Sequence, residues 1–137
     1  MTDTVDELYD VKTAYYIGAF AQCINVAQKA KVGNNDDLKL ERDCYVYRSY
    51  VNQKKYGVIF DEIRDSTSEP ALKAIRLYAG FMNNIKSDDA LSSAVSSFEQ
   101  LFSGLDPQAK LAWLPSVLLA SCYKTTGNVF KYEKQNL

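Results

Sequence analysis

The sequence predicts an all-α protein, an α-solenoid of about four helix-turn-helix pairs. Apolar residues recur at every third or fourth position along most of the 137-residue chain, as on the buried face of a helix. Polar or glycine-containing stretches separate these patterns, and no window shows the alternation of a half-buried strand. Residues 45–51 can also be read as a strand, but the helical pattern on both sides makes that the weaker reading.

The first predicted pair consists of helices over residues 5–16 and 20–30. Thr4 and Glu7 have the T-x-x-E spacing of a capping box, which marks the start of the first helix. Gly18 then interrupts the pattern, and we expect a turn there because glycine is a common breaker between periodic segments.

The second and third pairs follow the same long-short order. A tyrosine-rich helix is predicted over 38–53, and a shorter amphipathic helix over 58–64. The next helix, over 70–85, starts with proline, which is favoured in the first turn of a helix. Ser87 is the predicted N-cap of the helix over 87–102.

The last predicted pair is less complete. Asp106 and Pro107 resemble the N-cap and first residue of a long helix that ends near Tyr123. A turn is expected at Gly127, and a short polar helix over 129–137 closes the chain.

The expected turns between paired helices lie at Gly18, Lys54, about Lys86 and Gly127, and their separations are about 36, 32 and 41 residues. These values bracket the 34-residue period of tetratricopeptide repeats, in which each pair buries its apolar face only by stacking on its neighbours. We therefore predict one helical-repeat domain of tetratricopeptide-like pairs, expected to be the N-terminal part of a longer solenoid. Its repeats cover roughly 4–32, 37–65, 69–103 and 106–137.

Charge and composition exclude several classes of function. The net charge is −1 and no basic stripe occurs, so nucleic-acid binding is not expected. The longest apolar run, 111–120, is about half of what a membrane span needs. The acidic N-terminus does not resemble a secretory signal, and three widely spaced cysteines do not form a disulfide framework. These features predict a cytoplasmic protein.

The chemistry of a catalytic or metal site is missing from the sequence. Without histidine, neither a Ser-His-Asp nor a Cys-His arrangement can form. The cysteines include no C-x-x-C pair, and adjacent carboxylates such as Asp36 and Asp37 point about 100° apart on a helix. No phosphate loop is present. We therefore expect no enzyme activity, no cofactor and no metal. An enzyme of unrecognised type is a disfavoured hypothesis.

Two segments carry a resemblance to a known family. Residues 6–25 and 41–63 resemble the N-terminal half of the epsilon subunit of coatomer, through the D-E-L-Y-D-V-K opening, the Y-I-G turn followed by Q-C-I-N, and E-R-D…Y-R-S-Y. A general tetratricopeptide consensus does not require Gln22, Asn25, Glu41 or Asp43. The resemblance weakens after residue 80.

The resemblance implies a non-catalytic scaffold in the coat that buds vesicles from the Golgi for retrograde transport to the endoplasmic reticulum. It also implies that the partner is the C-terminal domain of the alpha subunit, gripped within the curved array, and through it other coat subunits. The protein would then be cytoplasmic and peripheral on Golgi membranes and coated vesicles, with only indirect membrane contact. Members of the family are about twice as long, so we interpret the chain as a short isoform or an N-terminal fragment.

In a tetratricopeptide array the first helix of each pair lines the concave face, where we expect the partner to bind. A mixture of apolar, aromatic and arginine side chains there suits an interface core with a polar rim. By the repeat alignment these residues are Leu8, Lys12, Tyr15, Glu41, Cys44, Arg48, Asn52, Lys73, Arg76, Asn83, Ser121 and Lys124.

An alternative function is a generic tetratricopeptide adaptor or co-chaperone that binds peptide segments. Such an adaptor clamps a peptide carboxylate with several lysine, arginine and asparagine side chains on the concave face. The predicted face has candidates for that clamp in Lys12, Arg48, Asn52, Lys73 and Arg76.

Overall fold

The computed structural model describes residues 6–135, with side chains up to residue 127, and every regular element in this range is a helix. The predicted all-α class is therefore confirmed. The helices are α1 (Tyr9–Tyr16), α2 (Phe20–Gln28), α3 (Asp36–Asn52), α4 (Tyr56–Glu62), α5 (Pro70–Asn83), α6 (Ala90–Ser103) and α7 (Leu114–Gln135). They form two compact units, one ending at Lys55 and the other beginning at Tyr56.

The first unit contains α1, α2 and α3, each of which contacts the other two. Their apolar residues recur at helical spacing, so each helix turns one stripe toward a shared core. The core residues of this unit are Leu8, Val11, Ala14, Cys23, Ala27, Val32 and Tyr45.

The turn between α1 and α2 depends on Gly18, whose φ is +83°. Only glycine adopts this left-handed conformation without steric cost. The Gly18 amide donates to the carbonyl of Tyr15 at 3.0 Å, and the Ala19 amide donates to that of Ala14 at 2.8 Å, which closes the end of α1. The predicted turns at Gly18 and at Lys54, where φ is +62°, are confirmed.

Helix α3 has a capped start. Asn35 occupies the N-cap, and its side-chain oxygen accepts a hydrogen bond from the Leu38 amide at 3.1 Å. Asp36 and Asp37 lie in the first turn, where negative charge interacts favourably with the helix dipole. The long helix that follows carries Glu41, Tyr45, Arg48 and Asn52 of the candidate site.

The second unit is organised around α5, which contacts α4, α6 and α7. Its core is built from fully buried apolar side chains, including Ile59, Ile75, Phe98 and Leu114. Pro70 lies in the first turn of α5 as predicted, and the turn expected near Lys86 separates α5 from α6. In the described part of the chain, no helix has both the length and the apolar character that crossing a bilayer requires.

Three predicted caps or boundaries are not where the sequence pattern placed them. The N-cap of α6 is Asp89 and not Ser87, whose hydroxyl instead donates to the Asp89 carboxylate. Asp106 accepts the Gln108 amide at 2.9 Å within a local turn, so it does not cap a helix. Helix α7 begins only after Leu111, whose φ of +60° is incompatible with a right-handed helix.

The predicted turn at Gly127 is also wrong, and with it the separate short helix over 129–137. Helix α7 continues through Gly127 to Gln135, since one glycine inside a helix costs only about 1 kcal/mol. Helix α1 begins at Tyr9 rather than at residue 5, and the Leu8 amide donates to the Asp6 carboxylate at 3.0 Å. Thr4 of the expected capping box lies outside the described residues. The repeat boundaries and their number stay predictions.

Candidate partner-binding site

A cluster of three tyrosines and one arginine lies where α1 meets α3. The central carbon of the Arg48 guanidinium is 4.6 Å from the centroid of the Tyr15 ring and 5.8 Å from that of the Tyr45 ring. Both distances fall within the range of cation–π attraction. We call Tyr15, Tyr16, Tyr45 and Arg48 the tyrosine–arginine cluster.

The rings of the cluster meet edge to face, the geometry that aromatic pairs prefer. The centroid of Tyr15 lies 5.3 Å from that of Tyr16 and 5.4 Å from that of Tyr45. The hydroxyls of Tyr16 and Tyr45 are hydrogen bonded at 3.3 Å. These contacts join the end of α1 to the middle of α3 and hold the rings beside Arg48.

The electrostatics of the cluster are dominated by Arg48. Among the described residues, no carboxylate lies within 4.0 Å of its nitrogens, and its Nε is buried without a hydrogen-bond partner. Burial raises the pKa of the Tyr45 phenol far above its ordinary value, and the hydrogen bond with Tyr16 raises it further. Tyr45 is therefore neutral at physiological pH and supplies no negative charge.

Polar groups flank the cluster on both sides. Toward the start of the helices, the Lys12 ammonium lies 3.1 Å from the Asp6 carboxylate and 3.8 Å from that of Glu41. Toward the end of α3, the side-chain amide of Asn52 donates to the Arg48 carbonyl at 2.8 Å and to the Tyr15 hydroxyl at 3.5 Å. The surface therefore has a neutralised end at Lys12 and an uncompensated cation at Arg48.

The cluster and its neighbour in sequence present apolar surface to solvent. Tyr16, within the cluster, is 66% exposed, and the adjacent Ile17 is 71% exposed. Aromatic rings and arginine are enriched in the energetic centres of protein interfaces, where an apolar body and a polar group occur together. The composition of this surface is therefore that of a protein-binding patch.

The structure brings together five of the predicted site residues: Lys12, Tyr15, Glu41, Arg48 and Asn52. Two others have a different position, because Leu8 is 0% exposed and Cys44 is 3% exposed. They pack inside the first unit and support the surface from beneath.

Sequence reasoning missed the tyrosines of the cluster other than Tyr15. Tyr45 lies four residues after Glu41 and three before Arg48, so its helical register gave a usable signal. Tyr16 had no such signal, because its role depends on how α1 packs against α3.

The predicted residues of the second unit are positioned differently. Arg76 donates to the carbonyls of Phe60 at 3.2 Å and Ile63 at 2.7 Å, so it satisfies the last carbonyls of α4 and its following turn. Ser121 donates to the Val117 carbonyl within α7 at 3.0 Å.

The other three predicted residues of this unit, Lys73, Asn83 and Lys124, are exposed. That they share one concave face with the first unit stays a prediction. The second unit also has an open groove of about 920 Å³ between α4, α5 and α6.

Metal ligands and cysteines were the remaining candidates for reactive chemistry in the described residues. No three side chains from cysteine, aspartate and glutamate come together as metal ligands in this part of the chain. Cys23, Cys44 and Cys122 are all buried. Burial also raises the pKa of the Cys122 thiol to about 12, which disfavours the nucleophilic thiolate.

The structure defines an all-α helical protein with an aromatic and cationic surface on its first unit. Residues 4–110 match the family model described as coatomer epsilon subunit, so the chain belongs to that family. The resemblance inferred from the sequence is thereby confirmed.

Individual relatives show how much of the family the chain represents. Coatomer subunit epsilon of Caenorhabditis elegans is 35% identical over 79 residues, which are 58% of this chain and 27% of that relative. Coatomer subunit epsilon-2 of Arabidopsis thaliana is 28% identical over 93 residues, 68% of this chain and 31% of the relative. Coatomer subunit epsilon of Dictyostelium discoideum is 26% identical over 122 residues, which are 86% of this chain and 39% of that relative. The chain spans about a third of the length of these relatives.

Proposed function

We propose that the chain is a non-catalytic scaffold subunit of the coatomer vesicle coat that binds the C-terminal domain of the alpha subunit. Through that partner it contacts other coat subunits and supports retrograde transport from the Golgi to the endoplasmic reticulum. It acts in the cytoplasm, peripherally on Golgi membranes and coated vesicles, and reaches the membrane only through the coat.

The tyrosine–arginine cluster is the observation that carries this proposal. It lies within the segment that matches the coatomer epsilon family, and it combines exposed apolar surface at Tyr16 and Ile17 with a cation at Arg48. That combination is typical of the centre of a protein interface. The near-zero net charge supports contact with proteins rather than with anionic lipid or nucleic acid.

The proposal is tested by calorimetric titration of the full chain with the purified C-terminal domain of the alpha subunit. Arg48→Glu is expected to weaken binding, because it places a negative charge among the three tyrosine rings, while the helical circular-dichroism signal stays unchanged. Arg42→Glu is the matched control, since Arg42 lies on the same helix and pairs with its neighbour Asp43 at 3.0 Å. Absence of binding by the unaltered chain would reject the proposed partner.

A generic peptide-binding adaptor is the second candidate, and the uncompensated charge of Arg48 favours it as well. An adaptor of the co-chaperone type holds the terminal carboxylate of a peptide, so amidation of that terminus abolishes binding. The two candidates are separated by titrating the chain with matched free and amidated peptides beside the alpha-subunit domain.

A further inference from the structure

Arg48 is a cation whose counter-charge is missing from the described part of the chain. Its side chain is half-buried, its Nε is sealed from solvent without an acceptor, and no carboxylate of the described residues lies within ion-pair distance. A buried donor left without an acceptor destabilises the folded chain, and the penalty is larger when the group is charged. A partner's acceptor cannot reach the sealed Nε, but the terminal nitrogens of the guanidinium are not among the buried unsatisfied atoms, so a carboxylate that arrives with a partner can pair with them.

The groups around Arg48 do not provide the missing charge. Tyr45 remains a neutral phenol because burial raises its pKa. Glu41, two helical turns earlier on α3, lies within 3.8 Å of the Lys12 ammonium. Asn52 contributes an amide that already donates to the Arg48 carbonyl.

The tyrosine rings also restrict how an acceptor can approach. Tyr15 lies against the guanidinium at 4.6 Å, and Tyr45 lies further off at 5.8 Å. The N–H bonds of a guanidinium lie in its plane and match the two oxygens of a carboxylate. An acceptor therefore approaches the edge of the guanidinium, and the tyrosine rings fix the orientation of the guanidinium.

We infer that the tyrosine–arginine cluster is the receptor for one aspartate or glutamate side chain on the partner, with an apolar neighbour of that residue packed on Tyr16 and Ile17. The inference rests on the proposed function, in that the carboxylate belongs to the alpha-subunit domain. The receptor itself can be tested without that domain.

A side-chain carboxylate fits the surface better than a terminal one. A clamp for a peptide terminus needs several free cations that converge on one point. Here the nearby Lys12 is already neutralised by Asp6 and Glu41, so Arg48 is the single free cation at the tyrosine–arginine cluster among the described residues. One uncompensated cation beside apolar surface suits one acidic side chain within a folded partner surface.

The first experiment follows the Nε–H signal of Arg48 by NMR while the full chain is titrated with acetate, acetamide or inorganic phosphate. Acetate is expected to shift this signal in a saturable way, and acetamide is expected not to. Arg42, whose Nε already donates to Asp43 at 3.0 Å, is the internal control and should respond weakly. The inference would be overturned if acetate left the Arg48 signal unmoved. It would also be overturned if phosphate bound at Arg48 more tightly than acetate.

The second experiment uses the purified C-terminal domain of the alpha subunit. Arg48→Gln is expected to weaken its binding by at least about 30-fold, the loss typical of removing one partner of a desolvated charge pair. One acidic-to-amide substitution on the domain should cause the same loss, and the two losses should not add. Arg42→Gln should leave binding unchanged.

The outcomes separate the inference from the proposed function. Binding that Arg48→Gln does not weaken would overturn the inference and leave the scaffold function intact. A domain that does not bind at all rejects the proposed partner, and the acetate titration then decides whether the receptor exists. If removal of the domain's terminal carboxylate alone reproduces the loss of binding, the carboxylate that Arg48 binds does not come from an aspartate or glutamate side chain, and the inference is wrong.

Discussion

The guanidinium of Arg48 lies 4.6 Å from the centre of the Tyr15 ring and thereby links α3 to α1. Tyr15 also contacts the rings of Phe20, Tyr16 and Tyr45, with centroids between 5.3 and 5.6 Å away. One side chain therefore serves two purposes, because it joins the three helices of the first unit and positions the cation of the site.

The stability of the first unit should depend on the ring of Tyr15 more than on its hydroxyl. Tyr15→Leu is expected to lower the free energy of unfolding by about 1–2 kcal/mol, since it removes several ring contacts and the cation–π contact. Tyr15→Phe keeps the ring and loses only the 3.5 Å hydrogen bond from Asn52, so its cost should be below about 0.5 kcal/mol. Urea unfolding monitored by circular dichroism measures both values, and equal losses would contradict the ring's importance.

Gly18 should resist substitution for a purely conformational reason. A Cβ built on Gly18 meets no atom within 4 Å, yet the φ of +83° is unfavourable for any L side chain. Gly18→Val is expected to cost at least about 1–2 kcal/mol in the free energy of unfolding. Gly80→Ala, within α5 and equally free of close contacts, is the control and should be neutral or stabilising. A Gly18→Val chain with an unaltered melting temperature would show that this turn is not strained.

Local periodicity was sufficient to predict where most helices lie. The spacing of apolar residues located α2, α3 and α5 to within a few residues, because a buried stripe at 3.6-residue period leaves a direct trace in sequence. Cap residues were less reliable. Ser87 and Asp106 both have side chains that can cap a helix, but each forms a hydrogen bond within a local turn instead. Short polar side chains form both kinds of hydrogen bond, so their presence does not distinguish a cap from a turn.

The candidate site was predictable in part. Helical register placed Glu41, Arg48 and Asn52 on one face of α3, and in the structure each of them contacts a side chain of α1. Register alone did not show that Leu8 turns inward, since burial depends on the angle at which α1 packs. The lack of a counter-charge at Arg48 also could not be predicted from the sequence, because it follows from distances between helices.

The continuity of α7 can be tested at Gly127. Its φ is not positive, and the helix runs through it to Gln135. Gly127→Ala is therefore expected to raise the free energy of unfolding by up to about 1 kcal/mol and to increase the helical signal at 222 nm. Gly18→Ala provides the opposite case, a loss of about 1 kcal/mol at a positive φ. If both substitutions destabilise the chain, Gly127 belongs to a turn after all.

Thiol reactivity should report on unfolding rather than on chemistry. Cys23 and Cys122 are both 0% exposed, and burial raises the pKa of each thiol, in Cys122 to about 12. At pH 8 a group with that pKa is ionised in only about one molecule in ten thousand, so the reactive thiolate is scarce even before steric protection is considered.

With Ellman's reagent we expect no prompt reaction of the folded chain and the release of three equivalents in denaturant. Ser96→Cys, which places a thiol on the exposed side of α6, should react at once and confirms that the reagent is active. Three prompt equivalents from the unaltered, folded chain would mean that its cysteines are accessible and that the cores of both units are not closed around them.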